Sequence, residues 1–382
     1  MTDASVDFLA AQVIASNLDA AAQEMSPTVT RTALSPLFNE AHDFTTGIFD
    51  FRGQREARLV AQAPGCTPHL YAIVGAVDAI LERFRFKLHA GDVLLLNDPY
   101  AGGTHGPDWT LIAPVCYQGK PVLLPAVRAH MGDNGGPVAG GYNPRAEEVW
   151  QEGLRIPPIK IVDRGETRAD VMNLLLANNR LPHWLEGDLA AMIGACRIAE
   201  ARIAHLFERF GLDVVRGAID RAIAYSERRV RQQIADWPDG TYVGETWTDH
   251  DFHGQHDIAV RATVTIAGDS LAIDFAGSDA QAHGFINSPL TNTRSFSARS
   301  RRTACHRSHR CRVSSSSCSL SFSHAGPHAG GLPRWWRGSV PRAIHSSCSL
   351  RWTTRASVSM VVVCDVTARQ PCPGFRRCQP AA

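Results

Sequence analysis

At 382 residues, 44% of them hydrophobic and 20% charged, the chain can form one large domain or two ordinary ones around a sizeable core, and its balance is that of a globular protein. No apolar run approaches membrane-span length, and the acidic start Met1-Thr2-Asp3-Ala4-Ser5-Val6-Asp7 lacks the basic-then-apolar layout of a signal peptide, so the expected setting is cytoplasmic with no membrane partner. The net charge of +2 sums two unlike parts. From Ser295 onward there are 14 Arg and a single acid, Asp365, whereas residues 1–294 carry 25 basic against 36 acidic side chains, a net of −11. That acidic body argues against a nucleic-acid partner.

Residues 6–34 read as an amphipathic helix, with Phe8, Val13, Ile14, Leu18, Ala21 and Met25 at helical spacing and a break or kink expected at Ser26-Pro27. The second half of Asn39–Asp50 reads as a strand. Phe51-Arg52-Gly53-Gln54 is its turn and Ala57–Ala61 the return strand. Pro64-Gly65-Cys66-Thr67-Pro68-His69 is a loop, followed by a helix over Leu70–Phe84. Cys66 and Cys116 have no obvious partner His and read as structural; three scattered cysteines before Ser295 suit reduced thiols.

Gly91-Asp92-Val93-Leu94-Leu95-Leu96 reads as a short, apolar strand buried on both faces. It runs straight into Asn97-Asp98-Pro99-Tyr100-Ala101-Gly102-Gly103-Thr104-His105-Gly106-Pro107-Asp108. Trp109–Tyr117 and Pro121–His130 then read as strands joined at Gln118-Gly119-Lys120. The second strand ends in an echo of the first motif, His130-Met131-Gly132-Asp133-Asn134-Gly135-Gly136. Gly140–Pro144 is a loop, and Ile156-Pro157-Pro158 is too proline-rich for a helix. Two long helices follow. Leu189, Met192, Ile193, Cys196, Ile203, Leu206 and Phe207 mark the first, with Asp188 as its N-cap and Gly211 past its end. Val214, Ala218, Ile219, Ala222, Ile223, Val230 and Ile234 mark the second. Tyr242–Trp247, Ile258–Ile266 and Leu271–Phe275 alternate as antiparallel strands. The expected fold class is α+β, mixed sheets with packed helices.

At Ser295 the composition changes abruptly: Arg replaces Lys entirely, Glu vanishes, and seven of the ten cysteines follow. Unpaired Cys spacings argue against a zinc module; Cys, Trp and Met360-Val361-Val362-Val363 argue against a simple basic disordered tail; no amphipathic period supports a membrane-surface segment. Translation out of frame in a GC-rich gene accounts for all of these features. The expected organisation is therefore an ordered region over 1–294 and an irregular or disordered segment without a specific fold over 295–382.

In both motif copies a His is followed three residues on by an Asp, beside a Gly-Gly pair at a strand end. Imidazole nitrogen and carboxylate oxygen are ordinary ligands of zinc or manganese. The spacing leaves two readings open: a metal or acid/base cluster, or turn-capping aspartates with hydrogen-bonded loop histidines. The glycine pairs either let a substrate or a backbone approach, or supply positive φ. No Gly-Lys-Ser/Thr follows them, so they make no P-loop, and the chain offers no nucleotide site of its own by this pattern.

The block Asn97-Asp98-Pro99-Tyr100-x-Gly102-Gly103-Thr104-His105-x-x-Asp108 resembles the signature of the hydantoinase B/5-oxoprolinase family. Glu40-x-x-Asp43-Phe44, His130-x-x-Asp133-x-Gly135-Gly136, Gln151-Glu152-Gly153-Leu154-x-Ile156-Pro157-Pro158, Asp274-Phe275-x-Gly277-Ser278 and Asn287-x-Pro289 agree, in order, up to about Arg294. Members of that family continue with another sizeable C-terminal portion, which coincides with the composition break. The resemblance implies a B-type subunit of an ATP-dependent cyclic amidohydrolase that opens hydantoin, 5-oxoproline or related lactam rings. It implies a hetero-oligomer in which a separate A subunit binds ATP and activates the amide. It also implies a divalent metal, zinc or manganese, on Asp43, His105, Asp108 and His130, with Asp133 or Glu152 handling protons. Asp133 has the alternative of orienting His130 from behind. The rival implications are a subunit of an acetone-type carboxylase and an inactive truncated product.

Overall fold

The computed structural model describes residues 7–305, with side chains described through residue 297. The irregular segment expected further on falls, from residue 306, outside the described residues. Two compact units are present: a larger one of residues 7–143, 148–233 and 289–299, and a smaller one that includes 144–147 and 234–288. The chain is α+β, and every strand pairing among the described residues is antiparallel.

In the larger unit the elements are α1 (Phe8–Thr32), α2 (Pro36–Asn39), β1 (Phe44–Asp50), β2 (Arg58–Gln62), α3 (Thr67–Leu70), α4 (Ala72–Phe84), β3 (Val93–Leu96), β4 (Asp108–Ile112), β5 (Val115–Tyr117), β6 (Lys120–His130), β7 (Ile159–Asp163), β8 (Glu166–Thr167), α5 (Ala169–Ala177) and most of α6 (Pro182–Ala235). The strands form one sheet in the order β2-β1-β6-β4-β3-β7-β8, with β5 paired to β6. Alternation along the strands feeds two separate cores. Val93 and Leu95 face the cluster built on α1 and α6, while Leu94 and Leu96 face the cluster built on α4. β6 divides likewise, Leu123, Val127 and Ala129 to the first core and Leu124 and Ala126 to the second. A strand with helices on both faces has no wet side, which is why β3 reads as an unbroken apolar run.

Several local expectations are corrected. Ser26-Pro27 does not end α1, although Pro27 lacks the N–H that would bond Gln23. Met25 and Val29 are fully buried on either side of it, and that packing outweighs one lost hydrogen bond. Asp188 is not an N-cap. The helix starts six residues earlier, at Pro182, where a fixed φ and a missing N–H suit the first turn. The buried Asp188 carboxylate instead accepts from the Leu34 and Ser35 amides at 2.9 and 3.0 Å, tying the entry of α2 to α6. Gly211 (φ 74°, ψ 166°) does separate two helices within α6, as its spacing implied. Ala113-Pro114 splits the expected 109–117 strand into β4 and β5. Strand β7 starts directly after Pro157-Pro158, where the prolines need give no ladder bond.

The smaller unit is a three-stranded sheet, β11-β10-β9, of β9 (Gly240–His250), β10 (His256–Ala267) and β11 (Ser270–Asp274). Ile258, Ala282 and Ile286 form its buried cluster.

Helix α7 (Leu290–Cys305) continues across Ser295, where the composition changes. Ser295 is fully buried; its hydroxyl donates to the Thr67 carbonyl at 2.7 Å and accepts from the Tyr71 amide at 3.0 Å. Thr291 donates to the Gly103 carbonyl at 2.6 Å. No helix among the described residues is long and apolar enough to cross a membrane.

Asp78 on α4 supplies a pH test of this packing. Burial pushes its carboxyl up to about 7, with Glu56 adding to the effect and the Ala57 amide, at 3.1 Å, working against it. A carboxyl raised in the folded state binds protons that the unfolded chain has already released. Stability therefore falls as pH rises from about 4 through 7. The full linkage for such a shift is about 4 kcal/mol, and partial exposure reduces it to roughly 2. Asp78→Asn keeps the acceptor for Ala57 and is expected to raise the urea midpoint at pH 8 but not at pH 4. Equal effects at the two pH values would contradict the assignment.

Candidate metal centre

The sheet order places β1, β6 and β4 side by side, and the start of β1, the end of β6 and the start of β4 lie at one end of the sheet. Asp108 is directly opposite His130 in the β4–β6 ladder. The His130 amide donates to the Asp43 carbonyl at 3.0 Å, just ahead of β1. His105 reaches the same place from the turn before β4, where the Asp108 amide bonds the His105 carbonyl at 3.0 Å. The two His-x-x-Asp copies are therefore brought together by strand pairing.

Three of the expected residues converge. His105 Nε2 lies 2.8 Å from Asp108 Oδ1, His130 Nδ1 lies 3.0 Å from the same oxygen, and the two ring nitrogens are 3.2 Å apart. Asp43 sits beside them in a neighbouring group with Cys66 and His69. His69 joins the groups: its Nε2 is 3.0 Å from Asp43 Oδ1, and its Nδ1 is 3.7 Å from Asp108 Oδ2. The second distance is too long for a hydrogen bond, and His69 Nδ1 is a buried atom without a partner.

On the far side, Asp108 Oδ2 accepts from Thr104 and from Arg128. Arg128 is completely buried and also donates to Thr110 at 2.7 Å. Its strand position, two residues before His130, puts both side chains on one face of β6. Burial works to raise the Asp108 carboxyl, but the charges of His105 and His69 and the hydrogen bonds from His105 and His130 hold it well below the usual carboxylate range. Burial likewise works against ionised Asp43, and the His69 hydrogen bond and charge outweigh it. Burial lowers His105 despite Asp108. Burial also opposes the charge on His130, yet Asp108 more than offsets it, leaving His130 raised.

This donor set fits a divalent cation. A tetrahedral zinc with bonds of about 2.0–2.1 Å needs ligand atoms roughly 3.3 Å apart, close to the spacing of the three converging atoms. With two imidazole nitrogens aimed at one carboxylate oxygen and at each other, every choice of tautomers leaves at least one contact between two lone pairs or two N–H groups. A cation at their meeting point removes that conflict, and the unpartnered His69 Nδ1 faces the same group.

Asp133 and Glu152 do not join the cluster. The Asp133 carboxylate is taken by the Arg180 guanidinium and amide, each at 2.8 Å, so it does not orient His130. Glu152 lies at the end of a short 3-10 turn, Val149–Glu152. Burial raises its carboxyl without a contribution from the cluster's charges, and its backbone carbonyl accepts from Asn134 at 3.1 Å. The two motif glycine pairs serve backbone approach: a Cβ on Gly102 (φ +83°) would lie 2.1 Å from the Gly75 carbonyl oxygen. A cavity of about 280 Å³ lined by Gly135, Gly136, Pro137, Trp150, Gly153, Leu154 and Asn178 includes none of the cluster residues.

Sequence reasoning missed His69 and read Cys66 as lacking a histidine partner. In Cys66-Thr67-Pro68-His69 one turn of helix, α3, brings both side chains to Asp43, a placement that spacing alone does not contain. The thiol is no nucleophile in this state: burial, then the Asp43 charge, holds it protonated.

Residues 7–310 match the sequence profile described as hydantoinase B/oxoprolinase. Caprolactamase subunit beta of Pseudomonas jessenii is 36% identical over 289 residues, covering 76% of this chain and 49% of that protein. The structure of the ATP-dependent caprolactamase from Pseudomonas jessenii superposes with a TM-score of 0.71 over 76% of this chain and 49% of that one. 5-Oxoprolinase 1 of Arabidopsis thaliana is 29% identical over 290 residues, covering 70% of this chain and 23% of that protein. An acetone carboxylase structure, 18% identical with a TM-score of 0.68, shares the fold, with 76% of this chain and 40% of that one covered. The chain thus spans about half the length of caprolactamase subunit beta. With the profile matched across the described residues, the chain belongs to the hydantoinase B/oxoprolinase family.

Proposed function

We propose that this chain is the metal-bearing B-type part of an ATP-dependent cyclic amidohydrolase, acting on a lactam, hydantoin or 5-oxoproline ring. The observation that carries this reading is the triangle of His105 Nε2, Asp108 Oδ1 and His130 Nδ1, with sides of 2.8, 3.0 and 3.2 Å. His105, Asp108 and His130 would hold a zinc or manganese ion. Asp43, hydrogen-bonded to His69, would be the fourth ligand. A divalent cation held there would lower the pKa of water and polarise an amide carbon.

The chain's own residues set the conditions for that chemistry. Thr104 and Arg128 hold Asp108 Oδ2, which leaves Oδ1 to the imidazoles. Burial raises the Glu152 carboxyl, which makes it a candidate proton donor or acceptor, and its backbone carbonyl packs on Gly106, beside His105. Asp133 serves the fold through Arg180 rather than the reaction. Activation of the amide by ATP belongs, in this reading, to a separate ATP-binding A subunit. The subunit name and the ATP dependence of the caprolactamase relative support that division. The lactam in the relative's name favours hydrolysis over carboxylation.

The test is metal analysis of the purified chain beside His105→Ala. The expected result is about one zinc or manganese per wild-type chain and a loss of at least tenfold in affinity for the variant. Negligible metal in both would sink the reading.

A further inference from the structure

The loop ahead of the smaller unit's first residues carries a side chain that no motif singled out. Gly140 and Gly141 have φ of +81° and +74°. A Cβ on Gly141 would lie 2.3 Å from Pro107 Cγ, and Pro107 sits between His105 and Asp108. The loop is thus pressed against the turn that bears two of the three converging residues, at a distance only glycine permits.

Tyr142 follows at once. Its ring centroid is 5.5 Å from that of His130 with only 15° between the planes, and 5.4 Å from that of His105. Exposure falls inward through this stack: 37% for Tyr142, 27% for the His105 side chain and 7% for that of His130. Tyr142 therefore stands between the imidazoles and solvent. Its hydroxyl has no hydrogen-bond partner among the described residues, so the ring, not the O–H, makes the contact. An aromatic face packed on imidazole also favours any positive charge the imidazole carries or binds.

We infer that Tyr142 is a positioning residue of the centre. It holds the His105 and His130 rings in their converging orientation and covers them on the solvent side. This rests on the metal-centre reading, and two measurements keep the two ideas apart.

The first is the rate at which the zinc-loaded full chain yields its metal to excess chelator. Tyr142→Ala is expected to release zinc at least tenfold faster than wild type, and Tyr142→Phe within twofold of it. The second uses metal-free protein: carbethoxylation of His105 and His130 by diethyl pyrocarbonate, followed by peptide mass spectrometry. Tyr142→Ala is expected to react several-fold faster at both positions and Tyr142→Phe at the wild-type rate. The exposed His205 on α6, reacting equally in all three proteins, is the control for folding. Equal rates across the three proteins in either measurement overturn the role of Tyr142. A wild-type chain that takes up no zinc removes the metal reading instead, and the modification rates alone then decide whether Tyr142 shields the imidazoles.

Discussion

Replacing Asp108 with alanine is expected to destabilise the larger unit by about 3–5 kcal/mol, the cost of leaving a buried charge uncompensated. Arg128 is the charge in question. It is fully buried, lies 3.2 Å from Asp108 Oδ2, and has Thr104 and Thr110 as its other named partners. Its Nε is already without a partner. The urea midpoint of Asp108→Ala should fall accordingly. Adding Arg128→Met should restore most of it, because removing both members of a buried ion pair in favour of an apolar side chain is often nearly neutral. Neither variant should hold zinc. A midpoint unchanged in Asp108→Ala would show that the guanidinium does not depend on this carboxylate.

A second large loss is expected at Asn97, which touches none of the converging residues. Its side chain is fully buried. Oδ1 accepts from the Ile156 amide at 2.6 Å, and Nδ2 donates to the Gly106 carbonyl at 2.6 Å, the Leu154 carbonyl at 2.8 Å and Asn134 Oδ1 at 3.1 Å. Trp109 Nε1 reaches the same Asn134 oxygen at 3.1 Å. One amide thus ties the end of β3, the His105–Asp108 turn and the Leu154–Ile156 segment together. Asn97→Leu fills the volume but orphans the Ile156 amide and at least one carbonyl, each worth about 1–3 kcal/mol when buried. The expected total is about 2–6 kcal/mol, with faster hydrogen exchange at the Ile156 amide and weaker zinc binding although His105, Asp108 and His130 all remain. Unchanged exchange at Ile156 would contradict the network.

What the sequence showed, and what it hid, follows from the range of the forces involved. β3 and the two helices on either side of Gly211 were legible because local periodicity and a single positive φ encode them. Pro27 and Asp188 misled because a residue's local preference yielded to contacts far along the chain, the cores around Met25 and Val29 in one case and the Leu34–Ser35 amides in the other. The same holds at the centre. His105, Asp108 and His130 stood out as an echo, but their meeting depends on the β4–β6 register, which spacing does not contain. His69 has no echo and is tied to Asp43 only through the fold. Asp133 shares the echo and yet belongs to Arg180, a partner that no pattern near His130 announces.

The seat of Ser295 also sets an order of events in time. Its hydroxyl bridges Thr67 and Tyr71, which flank His69, while Thr291 holds Gly103 just before His105. At a synthesis rate of about 5–20 residues per second, a ribosome needs on the order of 10–30 s to travel from His130 to Ser295. Throughout that interval the nascent chain displays its imidazoles and carboxylates without the helix that steadies them. Completion of that geometry is therefore a late event in the life of the polypeptide. A chain released before α7 emerges would carry His105, Asp108, His130 and His69 without the Ser295 and Thr291 contacts beside them.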